Sequence, residues 1–141
     1  MEAKLILYPV IAMVALVFLV AATMVSRRIA ALKANCIHPQ KVATSAQLAA
    51  LLTDSRASDN FRNLFEMPVL FYVAMITIHA TGSICMLHLL LAWGYVAARY
   101  VHSYIHCTSN IVMRRFYAFL TSCALLLCTW LMLGYQLLFL A

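Results

Sequence analysis

Three groups of side chains in this sequence have types and spacings that could do chemistry together. The first is Arg62, Asn63 and Glu66, which stand at the head of a run that then stays apolar to Ala80. The second is Arg99, His102 and His106, and the third is the pair Arg114 and Arg115. Arginine presents a planar fork of donors that fits carboxylates, and Glu66 offers a partner for an ammonium group. A guanidinium held beside a thiol would also favour the thiolate, the nucleophilic form of sulfur. The chemistry implied is capture of a small anion that also carries an amine.

Spacing supports the grouping. Arg62 and Glu66 are four apart and Asn63 and Glu66 three apart, so all three can share one helix face. Arg99, His102 and His106 recur at i, i+3 and i+7, which at 100° per residue confines them to an arc of roughly 60°. Asn110 would extend that stripe if the helix continued. A plainer reading of the same residues stands beside the functional one. Arg62–Glu66 can be an intrahelical ion pair, Asn63 an interhelical hydrogen bond, and the two histidines neutral interior side chains that glue a bundle together. The pair His102-x-x-x-His106 has the spacing of two metal ligands, but no third ligand accompanies it, so no metal site is assigned. Cys36-Ile37-His38 lies in a loop without a partner and reads as incidental.

The elements that must position these groups are set by composition. Of 141 residues, 66% are hydrophobic and 10% charged, against about 25% charged in soluble domains. A chain so short and so apolar cannot hide its surface in a globular core, so its solvent must be lipid. It reads as a single domain over residues 1–141. The net charge of +6 is too sparse for a nucleic-acid partner, and its cations fall in loops and at helix ends. Five cysteines without a C-x-x-C pair show no disulfide framework or zinc module. The first apolar run lacks a small-residue cleavage site and reads as a retained span.

Four spans are expected, at about 5–25, 60–80, 84–107 and 112–140, giving an all-α bundle in the membrane. Asp59 or Ser58 would cap the second span, which is read as one helix from Asn60. Thr44 to Leu52 can form a short surface helix. Thr81-Gly82-Ser83 makes a tight uncharged turn between spans two and three. Ser26-Arg27-Arg28, the polar segment 29–58 and Arg114/Arg115 hold nearly every cation, so both of those connections face the cytoplasm or its organellar equivalent. Both termini then lie on the other side, in a bacterial inner membrane or an organellar one. The three chemical groups thus converge near one membrane face. Tyr8, Trp93, Trp130 and Tyr135 read as interface or packing aromatics. A small peptide with two carboxylates and one amine, such as glutathione, matches the charge pattern of the convergence.

Phe61-Arg62-Asn63-Leu64-Phe65-Glu66-Met67-Pro68, with Ala98-Arg99-Tyr100-Val101-His102-Ser103-Tyr104-Ile105-His106 on the third span, resembles the MAPEG superfamily, the membrane-associated proteins in eicosanoid and glutathione metabolism. The resemblance covers nearly the whole chain and is closest to small bacterial-type members. It implies a homotrimer of four-helix subunits with glutathione bound between them near the cytoplasmic face. Arg62, Asn63 and Glu66 match the family's glutathione-contacting group, and Arg99 and His102 its polar positions on the third span, with His106 alongside. The thiol-activating arginine would be Arg115, or Arg114 if the turn differs by a residue. Where enzymatic members carry tyrosines, His102, His106 and Phe119 stand here. The resemblance leaves two functions open. One is a glutathione-dependent transferase or peroxidase acting on a lipophilic electrophile; the other is a non-catalytic subunit of a larger membrane complex.

Overall fold

The computed structural model describes residues 2–139, which are helical nearly throughout and contain no strand. Helix α1 spans Leu7–Ala34, α2 Ser45–Leu51, α3 Arg56–Asn63, α4 Met67–Thr81, α5 Met86–Cys107 and α6 Val112–Phe139. The expected last residue of the fourth span, Leu140, lies outside the described residues. At 1.5 Å per residue the 28 residues of α1 extend about 42 Å, longer than the ~30 Å hydrocarbon core. Arg27 and Arg28 lie inside the helix, which continues past the expected span end at Val25 to Ala34. Three stretches are long and apolar enough to cross a membrane: Lys4–Ala34, Arg56–Thr81 and Val112–Phe139. Helix α5 is not among them, because its second half carries the polar stripe.

The second span is not the single helix expected from Asn60. It starts earlier, at Arg56, and breaks between Asn63 and Met67. Pro68 explains the break. It has no N–H to give the carbonyl of Leu64, and its ring crowds that same carbonyl, so a helix cannot run through. The capping expectation also changes. Ser55 is the N-cap residue, but its hydroxyl donates to Asp59 Oδ2 at 2.6 Å and accepts from none of the free helix N–H groups. The break removes the helical register that would have paired Arg62 with Glu66. Among the described residues the ion pair within 4.0 Å is Arg56–Asp54.

The short surface helix expected after Thr44 and the turn expected at Gly82 both form. Thr44 and Gln47 form a reciprocal capping box that starts α2. Gly82 ends α4 at φ 68°, the left-handed conformation that a residue without Cβ adopts at low cost. Helices α5 and α6 form a hairpin with the most extensive packing in the fold. Its contacts run antiparallel: His102 reaches Arg115, Arg99 lies over Phe119, and Gly94 lies against Leu125. A Cβ at Gly94 would stand 3.4 Å from a Leu125 methyl, an ordinary contact. Phe71 of α4 stacks on Tyr95 of α5 at 4.5 Å between centroids, and Tyr100 Oη donates to Ala12 O of α1 at 2.8 Å. These contacts seat α5 in the middle of the bundle, where its polar face is enclosed.

Candidate functional site

Helix α5 buries its stripe as the spacing predicted. Arg99 is 0% exposed, His102 4% and His106 7%. Ser103 and Cys107 complete that face. Arg99 and His102 are each held by a neighbouring element. Arg99 Nη2 donates to Asn63 Oδ1 at 2.7 Å and to the Asn63 carbonyl at 3.2 Å. The carbonyl can accept because α3 ends at Asn63, which leaves it without a donor four residues on in the same helix. Asn63 Nδ2 in turn donates to Glu66 Oε2 at 3.0 Å. Asn63 therefore couples a buried cation to an exposed carboxylate.

On the other side, His102 Nδ1 lies 3.1 Å from the Arg115 carbonyl. Arg115 Nη1 donates to Asn110 Oδ1 at 2.7 Å. Asn110 has φ 49°, so the helix does not continue through it, and it joins the site as a turn residue holding Arg115. The same turn is gripped from α3, where Arg56 Nη1 donates to Thr108 O at 2.6 Å. Asp54 orients Arg56 through both carboxylate oxygens, at 2.8 and 2.9 Å. That guanidinium holds the Asp54 carboxyl well below the usual carboxylate range, at about 2.

Between these elements lies a cavity of about 240 Å³ lined by Asn63, His102, His106, Val112, Arg115, Phe116 and Phe119. One wall is polar and the other apolar. Phe119 sits between the two, 5.8 Å from the His102 ring and beneath the Arg99 guanidinium at 5.9 Å. His102 and His106 meet edge to face at 5.5 Å. Several buried polar atoms here have no protein partner: Arg99 Nε and Nη1, His102 Nε2, His106 Nδ1 and, deeper, Tyr95 Oη. Unpartnered buried groups are uncommon in native folds, and each calls for an explanation.

The site residues read from the sequence separate into two sets. Asn63, Arg99, His102, His106 and Arg115 are brought together. Arg62, Glu66 and Arg114 are exposed at the same end of the bundle, and only Glu66 is tied to the cluster, through Asn63. A second polar group was not anticipated. Asn60, 0% exposed, accepts from Ser103 Oγ at 3.3 Å and donates to Cys107 Sγ at 3.4 Å. Its signal was present, since Asn60 precedes Asn63 by three, and Ser103 and Cys107 follow Arg99 at successive intervals of four. Among the described residues no group of three metal-ligating side chains converges.

Apolar helices long enough to cross a bilayer, with a cationic cavity at one end of their hairpin, define a multi-pass integral membrane protein. The chain belongs to the MAPEG family, which it matches over residues 6–135. No curated protein and no solved structure matches it.

Proposed function

We propose that this chain binds glutathione in the cavity between α3, α5 and α6 and acts as a transferase or peroxidase on a lipophilic electrophile that enters from the bilayer. The observation that carries this reading is Arg99. Its guanidinium is fully buried, donates through Nη2 alone, and has no carboxylate within 4.0 Å among the described residues. A buried charge without a counter-charge costs several kcal/mol (roughly). Such residues in membrane spans mark functional sites, where an anion completes the pairing. A carboxylate of the peptide supplies that anion, Glu66 suits its ammonium group, and Arg115 stands where a thiolate is stabilised. Phe116, Phe119 and Val112 offer the apolar wall that an electrophile needs.

Helix α5, at 22 residues, reaches about 33 Å and completes a four-span bundle in this proposal. Its cation-rich end faces the cytoplasm, with both termini opposite. The functional unit is a homotrimer. The cavity of about 240 Å³ is smaller than the ~300–1,000 Å³ usual for ligand sites, and Arg62, Glu66 and Arg114 stand exposed beside it, where a neighbouring subunit would enclose them. Calorimetric titration of glutathione into detergent-purified protein tests the reading. Binding that Arg99→Leu abolishes is expected, and no binding at millimolar ligand would overturn it. Native mass spectrometry should show a trimer; a stoichiometric complex with another membrane protein would favour an accessory role.

A further inference from the structure

Resting on that reading, we propose that His102 is the general base that takes the proton from the bound thiol. The hydrogen bond to Arg115 decides which nitrogen can do so. A carbonyl oxygen only accepts, so the contact at 3.1 Å requires the proton to sit on Nδ1. In a neutral imidazole the other nitrogen then carries the lone pair. That nitrogen, Nε2, is enclosed by protein and has no partner, while the ring to which it belongs lines the cavity. The fold thus holds the ring in one tautomer and leaves its acceptor nitrogen unused. Orientation of a base by a backbone carbonyl on its far nitrogen is the arrangement that makes histidine effective in proton transfer.

The ring's packing keeps the arrangement rigid. Phe119 lies 5.8 Å away on α6 and His106 meets the ring edge-on at 5.5 Å. The charged groups around it are Arg99 on its own helix, Arg115 on α6 and Glu66 beyond Asn63. In the step, the S–H bond breaks, its electron pair stays on sulfur, and the proton forms an N–H bond at Nε2. The pair formed is imidazolium and thiolate, with no net change in charge. Arg115 then faces the thiolate. After attack on the electrophile, the imidazolium returns its proton to the leaving group or to the reduced oxygen. His106, whose Nδ1 is also without a partner, lies one turn further along the same face.

Proton counting tests this directly. If His102 keeps the proton, wild-type protein will form thiolate, seen by its ultraviolet absorbance, without releasing a proton. Calorimetry in buffers of different ionisation enthalpy reads that release. Release of one proton per thiolate formed by the wild type overturns the proposal. The variant His102→Asn retains an amide N–H for the Arg115 carbonyl but has no base. It should lose the thiolate signal and lower turnover by roughly 10²-fold or more, while S-methylglutathione, which has no thiol proton, binds as before. An undiminished thiolate signal in His102→Asn also overturns it. Failure of both glutathione and S-methylglutathione to bind the wild type is a different result, because it removes the glutathione reading and this role together. Should His102→Asn fail to assemble, the wild-type proton count alone decides.

Discussion

Asn63→Ala is the perturbation that tests the site most sharply. Asn63 Oδ1 is the closest acceptor of the buried Arg99 guanidinium, at 2.7 Å; the remaining bond, to the Asn63 carbonyl, is longer at 3.2 Å. Hydrogen bonds to charged groups contribute about 1.5–3 kcal/mol, and leaving a buried charged donor short of an acceptor lies at the upper end of that range. The bond to Glu66 adds less, since that carboxylate is exposed and screened. The expected loss is therefore about 2–3 kcal/mol, which raises the unfolded-to-folded ratio roughly 30- to 150-fold. Equilibrium unfolding in mixed micelles, followed by circular dichroism, reads that difference. Asn63→Asp restores the acceptor with a full charge and should recover most of the stability. By neutralising Arg99 it should also weaken glutathione binding. A change in Asn63→Ala below about 0.5 kcal/mol, the range of ordinary surface substitutions, would refute the placement of α3 against the middle of α5.

Three further outcomes are expected. Arg115→Ala should lower transferase turnover by roughly 10²- to 10³-fold, as removal of an anion-stabilising donor does, whereas Arg114→Ala, at an exposed position, should leave turnover near wild type; steady-state kinetics with an aryl halide compares them. Gly82→Ala should destabilise by about 1–2 kcal/mol, because the left-handed conformation at φ 68° penalises a Cβ; nothing lies within 4 Å of that Cβ, so a larger loss in thermal unfolding would point to a clash that is not there. The Asp54 carboxyl, depressed from 3.8 to about 2 by Arg56, favours the folded state above its unfolded value. That contribution is lost as pH falls from 3.8 towards 2. The loss should be small, since both side chains are more than a third exposed, and it should vanish in Asp54→Asn when acid unfolding is compared.

Much of this molecule was legible before any coordinates. Sixty-six per cent hydrophobic residues leave a short chain no place but lipid, and the 100° period placed Arg99, His102 and His106 on one face. Burial of that face followed from the cost of exposing it to hydrocarbon. Local signals of this kind depend on neighbours in sequence. The turn at Gly82 and the capping box at Thr44 belong to the same class.

What tertiary structure decided lies between elements. Pro68 stood in the sequence, but where the chain would break, and that the break would free the Asn63 carbonyl for Arg99, depended on α5 packing alongside. The separation of Arg115 from Arg114 turned on which face of α6 met α5, a choice made by the antiparallel hairpin and its Asn110 turn. The Asn60–Ser103–Cys107 network joins residues more than forty positions apart, so the spacings that put each side chain on its helix face could not say that the two faces meet. Composition determined that the chain crosses membranes, and spacing determined which side chains share a face. Which acceptor each buried donor finds is set by the packing of one helix on another, because a hydrogen bond is made or lost over tenths of an ångström.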